Sequence, residues 1–192
     1  MNTSIGSGNT GSGNTVAGNR RRGRAMAAAA FVAALASTGL GLGAPSAAAD
    51  TVSVSYTCTG PGAPGDVQSL QVTVTAPASV PQGGTADLTL QASTQLKVPI
   101  NVPAQAVTGE LDLALGGASS GTVTATGFTN PDPVPSGSGV TLTGGTASVK
   151  LDAAGTTTFT PGTAKVHVFG VTVECAVSGS APVAASTQVT TE

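Results

Sequence analysis

Few side chains in this sequence could do catalytic chemistry, and the single histidine limits the choice most. The 192 residues include one His, two Cys, one Tyr and no Trp. A Ser-His-Asp triad would therefore need His167 as its base. Residues 117–121 (Gly-Ala-Ser-Ser-Gly) have the G-x-S-x-G pattern, which presents a nucleophile only on a strained turn between a strand and a helix. Strands are predicted on both sides here, so the pattern indicates a flexible hairpin loop.

Carboxylates are the second candidate for chemistry. Glu110 and Asp112 share one face of a predicted strand, about 6.8 Å apart from the rise per residue. A sugar-cleaving enzyme would hold such a pair in a groove rich in aromatic side chains, whereas only 3% of this sequence is aromatic. The pair is more typical of solvated charges that protect an exposed strand.

Candidate metal ligands are scarce. Asp66 and Asp132 stand alone in predicted loops, without the D-x-[DN]-x-[DN]-G run of a calcium loop. A zinc site needs at least three ligands, and one His with a paired Cys does not supply them. The sequence therefore predicts a protein that is not an enzyme and uses no metal or cofactor.

The charges are distributed unevenly along the chain. All nine acids lie from Asp50 onward, whereas four of the seven basic residues fall within residues 20–24. The chain beyond the arginine cluster is acidic and sparsely charged, which excludes a basic surface for nucleic acid.

The first 49 residues have the layout of an export signal. Residues 1–24 predict a disordered, low-complexity segment that ends in a basic n-region. Residues 25–49, an apolar run followed by small residues, predict a signal peptide cleaved between Ala49 and Asp50. The run is also about long enough for a retained membrane anchor, and the arginines leave a twin-arginine route open. The general secretory route is favoured, and the mature product should not span the membrane because no second apolar run follows.

Apolar residues alternate with polar ones through most of residues 50–192. This period of two is typical of half-buried strands, and Gly- and Pro-rich turns separate the segments. The pattern predicts one all-β domain, an antiparallel β-sandwich of Ig-like or Greek-key type. The alternating segments are Thr51–Cys58, Leu70–Thr75, Ala86–Ala92, Glu110–Leu115 and Val149–Asp152.

The two cysteines are predicted to form a disulfide. Cys58 ends the first strand and Cys175 ends the last long strand, and an even pair in an exported chain is typical of a disulfide. Closing a loop of this length would stabilise the fold by about 4–5 kcal/mol in the chain-entropy model.

The segment 164–175 changes its alternation in the middle. Apolar residues occupy even positions before Gly170 and odd positions after it, and a slip of one residue turns side chains to the opposite face. The change predicts a β-bulge at Gly170, with Lys165 and His167 facing solvent and Cys175 facing the core.

The proline-rich segment 130–139 is the most unusual predicted loop. Its prolines favour a stiff, extended conformation. It serves either as a connector between strands or as the rigid bait loop of an inhibitor, and the connector is favoured.

Four short motifs resemble a family of uncharacterised secreted β-sandwich domains from actinomycetes. They are Tyr56-Thr57-Cys58, the segment 77–84 (Pro-Ala-Ser-Val-Pro-Gln-Gly-Gly), Gly155 before a Thr-rich strand, and the closing Cys175. The resemblance spans about Val52 to Cys175. It implies an exported sandwich with the disulfide, and it carries no catalytic or ligand residues.

Together these features predict a non-catalytic extracellular module that is structural, adhesive or ligand-binding. Secreted or held at the cell wall, it would have a protein or a cell-wall glycan as its partner. Exposed strand edges with few lysines also favour self-association. The alternative function is a secreted inhibitor of an extracellular hydrolase that uses the loop 130–139.

Overall fold

The computed structural model describes residues 48–191. The predicted disordered segment and almost all of the predicted signal peptide lie outside these residues. The first strand begins at Ala48, so cleavage after Ala49 would remove two of its residues. The cleavage site stays a prediction.

The described residues form ten strands and no helix. They therefore contain no helix that could cross a membrane. The strands are β1 (Ala48–Thr59), β2 (Gln68–Ala76), β3 (Ser79–Pro81), β4 (Gly84–Thr94), β5 (Val107–Gly117), β6 (Gly121–Thr129), β7 (Thr141–Leu151), β8 (Gly155–Val168), β9 (Val171–Val177) and β10 (Ala185–Thr190).

The alternation in the sequence sets which face of each strand is buried. In β2, Val72 and Val74 are fully buried, and the threonines that alternate with them lie on the outer face. Thr51 and Thr73 extend this pattern, because their hydroxyls lie 2.7 Å apart across β1 and β2 on the outside. β-Branched residues thus occupy both faces of the sheet: valines pack in the core, and threonines lie on the outer face.

Eight of the strands form a closed ring. The order β1-β2-β4-β7-β6-β5-β8-β9 returns to β1, and every pairing in it is antiparallel. Strand β8 is long enough to serve two neighbours on one side, since residues 155–159 pair with β10 and residues 164–168 pair with β9. The short β3 adds to β10 in parallel. The predicted all-β class is confirmed, with one sheet that folds back on itself around the core.

Glycines allow the sheet to bend where β6 meets β7. Gly127 and Gly144 have φ of +85° and +79°, a conformation that residues with a Cβ rarely adopt. The strand register shifts beside each of them. Phe128 lies flat against Gly145, where a Cβ would collide with its ring. The bend depends on the absence of side chains at these positions.

The predicted disulfide is confirmed. Cys58 and Cys175 are directly opposite in β1 and β9, with their Cα atoms 3.9 Å apart. Only four residue pairs join these two strands. The covalent bond therefore reinforces one of the shorter pairings that the ring needs to close.

The prediction of a bulge at Gly170 is wrong. The segment 164–175 is a hairpin of two strands, in which Val168 pairs with Val171 around a two-residue turn. Phe169 and Gly170 both have positive φ, +49° and +77°, as a tight turn between antiparallel strands requires. The chain reversal, rather than a slip within one strand, explains the change in alternation. Cys175 does lie in the core.

Tyr56 is the largest fully buried side chain of the core. Its hydroxyl donates a hydrogen bond of 2.9 Å to the carbonyl of Gly162. Burial raises the pKa of Tyr56 to about 12, from 10.0, because the phenolate would lose its hydration inside the core.

We expect the free energy of unfolding to fall between pH 10 and about 12. The unfolded chain releases the phenol proton near pH 10 while the folded chain retains it, so this contribution is complete below pH 10 and is lost as the pH rises. The loss should reach about 3 kcal/mol. Denaturant unfolding followed by circular dichroism at each pH would measure it.

Tyr56 is the only tyrosine, so phenolate absorbance reports on it alone. The variant Tyr56→Phe should lack this component of the alkaline loss. A native-like dichroism spectrum with phenolate forming near pH 10 would contradict the prediction.

Candidate ligand-binding site

A cavity of about 470 Å³ lies at one end of the strand ring. Antiparallel pairing brings the last residues of β1, β4 and β8 and the first residues of β2, β5, β7 and β9 to this end. The inward faces of these strands continue from the core into the cavity, and they remain partly exposed where no opposing side chain fills the space.

The walls of the cavity are apolar. They consist mainly of aliphatic side chains that point inward from six strands of the ring, where backbone groups are already paired. The main wall residues are Leu70, Ala92, Val107, Leu142, Val166 and Val173. The disulfide forms part of the same wall, since both Cys58 and Cys175 line it.

A loop of residues 96–102, here called the flap, covers one side of the cavity. Leu96, Val98 and Ile100 line the cavity from the flap. The flap follows β4 directly and has no strand partner in the ring. Its position must therefore come from contacts with other loops.

The proline-rich segment 130–139 supplies those contacts. Val102 and Val134 exchange two backbone hydrogen bonds of 2.9 and 2.8 Å. Further along, the amide of Gly137 donates to the carbonyl of Val98, and the amide of Val98 donates to the carbonyl of Ser138. The segment thus connects β6 to β7 and also holds the flap.

Asn130 fixes the base of this arrangement. It is fully buried, and its Oδ1 accepts a hydrogen bond of 2.9 Å from the amide of Val107. Its Nδ2 donates to the carbonyls of Pro103 and Asp132 at 2.7 and 2.9 Å. One polar side chain therefore satisfies backbone groups on both sides of the flap junction, as a buried amide must.

The rim of the cavity exposes large apolar side chains. Leu96, Ile100 and Phe169 line the cavity and remain 41%, 54% and 59% exposed. Phe169 holds a left-handed backbone conformation at the β8–β9 turn, which is rare for a bulky residue. The tight turn therefore presents the Phe169 side chain at the rim.

Within residues 48–191, Lys97 is the only charged residue that lines the cavity. It is exposed on the flap, between Leu96 and Val98. The other two lysines of the described chain have acidic neighbours elsewhere: Lys150 pairs with Asp152 at 2.6 Å, and Lys165 lies in cross-strand register with Glu110 and Glu174.

The structure does not bring the candidate catalytic residues together. Residues 117–121 form the β5–β6 hairpin loop at the opposite end of the ring from His167. Ser119 shares a hydrogen bond of 2.8 Å with Thr157, and His167 Nδ1 lies 2.9 Å from the hydroxyl of Thr172. The hairpin loop that the sequence predicted for the G-x-S-x-G segment is confirmed.

The candidate acids lie apart from the cavity. Asp112 accepts a hydrogen bond of 2.6 Å from Thr124 on the outer face. Asp66 and Asp132 lie in loops near the flap end but do not line the cavity. No group of three His, Cys or acidic residues that could hold a metal occurs within residues 48–191.

Sequence reasoning missed the flap and the rim. The signal that could have shown them is the apolar content of a segment without strand alternation, Leu96 to Ile100. Asn130 could have been singled out only as the polar residue that precedes a proline. Neither pattern predicts a cavity, because the cavity volume depends on the distance between the ends of strands that are far apart in sequence.

No family model, no curated protein and no solved structure matches this chain. The resemblance to secreted actinomycete domains stays a prediction.

We expect Asn130→Ala to destabilise the fold by about 1–3 kcal/mol, because it leaves the buried amide of Val107 and two part-buried carbonyls without partners. Amide exchange of Val98 and Val102 should accelerate more than exchange in the ring strands. Hydrogen exchange read by NMR would measure both effects.

The matched control is Asn101→Ala, since Asn101 accepts one hydrogen bond from the exposed Ser136 amide. Its effect on stability should stay within about 1 kcal/mol. Equal exchange rates in the flap of Asn130→Ala and the unmodified protein would contradict the proposed role of Asn130.

Proposed function

We propose that this chain is an exported, non-catalytic binding module, and that the cavity at the end of the strand ring is its ligand site. The observation that carries the proposal is the cavity of about 470 Å³ with a mainly apolar wall, in which Gln68, Ser93, Thr94 and Lys97 are the polar members. Natural ligand sites occupy roughly 300–1,000 Å³ and are mostly apolar with few polar groups. The size and the lining of this cavity both fall within that description.

The disulfide supports an extracellular location. Disulfides persist in oxidising compartments and are rare in the cytosol. The sequence of the first 49 residues, a basic segment followed by an apolar run and small residues, supports the same route. A location in or near the cell envelope, with a protein or glycan neighbour on the polar outer faces, belongs to the same proposal.

The inhibitor alternative rests on the stiffness of the loop 130–139. In the structure this stiffness has another explanation, because the loop holds the flap through backbone hydrogen bonds at Val134, Gly137 and Ser138. Incubation with secreted proteases would show whether the loop has a second role, since an inhibitor forms stable complexes and remains uncut.

Export makes a direct prediction. When the full chain is expressed in a secreting host, the intact mass of the protein in the medium should correspond to a chain that begins at Asp50. Free-thiol labelling should detect no reactive cysteine. A full-length chain retained in the membrane would contradict the proposed cleavage.

Ligand binding is tested with the neutral fluorophore N-phenyl-1-naphthylamine, which emits strongly in apolar sites. The unmodified protein should bind it. Ala92→Phe should weaken binding by about tenfold or more, which is about 1.4 kcal/mol, because the added ring occupies the cavity that Ala92 lines.

The control is Ala114→Phe, the same change at an exposed position of β5. It should bind the fluorophore like the unmodified protein. Thermal unfolding of both variants shows that they fold. Equal binding by both variants, or no binding by the unmodified protein, would overturn the proposal.

A further inference from the structure

The inner and outer parts of the cavity differ in chemistry, and this difference limits the kinds of ligand that fit. Its inner part contacts the core, where Val107 and Leu142 are buried. Its outer part is bounded by exposed apolar side chains and a single cation, Lys97. A ligand that matches this order is apolar at one end and charged at the other.

We infer, on the basis of the binding module proposed above, that the ligand is a single-chain amphiphile with an apolar tail and an anionic head group. The tail would lie along the aliphatic wall, and the head group would stay at the rim beside the ammonium of Lys97. The inference concerns a free amphiphile that leaves solution as a monomer.

The inner wall favours an apolar tail over a polar ligand. The aliphatic wall residues offer no side-chain donors or acceptors, so a polar group placed there would lose its hydration without compensation. A tail gains affinity with every methylene that it buries, about fourfold each. Leu96, Ile100 and Phe169 extend the apolar surface to the rim, where the tail leaves the cavity.

The charge of the head group follows from Lys97. The described chain is acidic and contains three lysines and no arginine. The ammonium groups of Lys150 and Lys165 have acidic neighbours, whereas Lys97 forms no ion pair with any described residue. An otherwise acidic protein thus places a free cation at the mouth of its apolar cavity, which complements an anion and disfavours a cation.

The magnitude of the Lys97 contribution is modest. The residue is exposed, and exposed ion pairs are weak and screened by salt. Loss of the ammonium should therefore weaken an anionic amphiphile by about fivefold at low salt. The tail supplies most of the affinity and the lysine supplies the preference between head groups.

The test compares three probes with the same tail, dodecanoate, dodecanol and dodecyltrimethylammonium, each below the concentration at which it forms micelles. Isothermal titration calorimetry of the unmodified protein measures the affinity for each probe. Dodecanoate should bind most tightly and the ammonium probe most weakly.

Two variants separate the contribution of the head group from that of the tail. Lys97→Gln should reduce dodecanoate affinity to that of dodecanol and leave dodecanol unchanged. Lys150→Gln, the same change at an exposed lysine outside the cavity, should leave all three affinities unchanged. Added salt should reduce the preference for dodecanoate in the unmodified protein.

The outcomes distinguish this inference from the function on which it rests. Equal binding of dodecanoate and dodecanol, or equal loss in both lysine variants, would overturn the anionic ligand and leave the binding module intact. Failure of all three probes and of the neutral fluorophore would overturn both. Binding to phosphatidylglycerol vesicles without binding of monomers would replace the free amphiphile with a membrane surface.

Discussion

Closure of the strand ring is the constraint on which the rest of this structure depends. Each strand in the ring has two partners within the ring, so the faces that enclose the core cannot separate freely. One short step in the ring is the β1–β9 pairing, with four residue pairs and the bond between Cys58 and Cys175. Because a disulfide acts mainly by restricting the unfolded chain, a bond between strands so far apart in sequence favours the closed arrangement over open ones.

The cavity follows from that closure together with a shortage of large side chains. The core is built mainly from Val, Leu and Ala, and Tyr56, Phe128 and Phe159 are its buried aromatic residues. Close packing requires side chains that fill the space between facing strands. Where the ring ends beyond Leu70 and Leu142, the aliphatic side chains are too short to meet, and the flap closes only part of the opening. The cavity is thus the unfilled continuation of the hydrophobic core.

The sequence was sufficient for the fold class, the main strands and the disulfide. Alternation of apolar and polar residues is a local signal of a strand, and two cysteines in an exported chain can form only one intramolecular disulfide. It was insufficient at Gly170. The apolar residues move from even to odd positions there, and this change is the same for a bulged strand as for two strands joined by a tight turn. It was also insufficient for ring closure, since the pairing of β8 with β9, β5 and β10 depends on strand length and bending. The bend at Gly127 and the role of Asn130 arise from contacts between distant segments, and no local pattern encodes those contacts.

The disulfide lies in the cavity wall, so the proposed export and the proposed ligand binding would both depend on oxidation of the two cysteines. Inside a reducing cytosol the sulfurs of Cys58 and Cys175 remain thiols, so one side of the compartment is unfinished while the chain is being synthesised. On the proposed export route the wall is completed only after translocation. Under the proposed function, the ligand would then be taken up outside the cell rather than during synthesis.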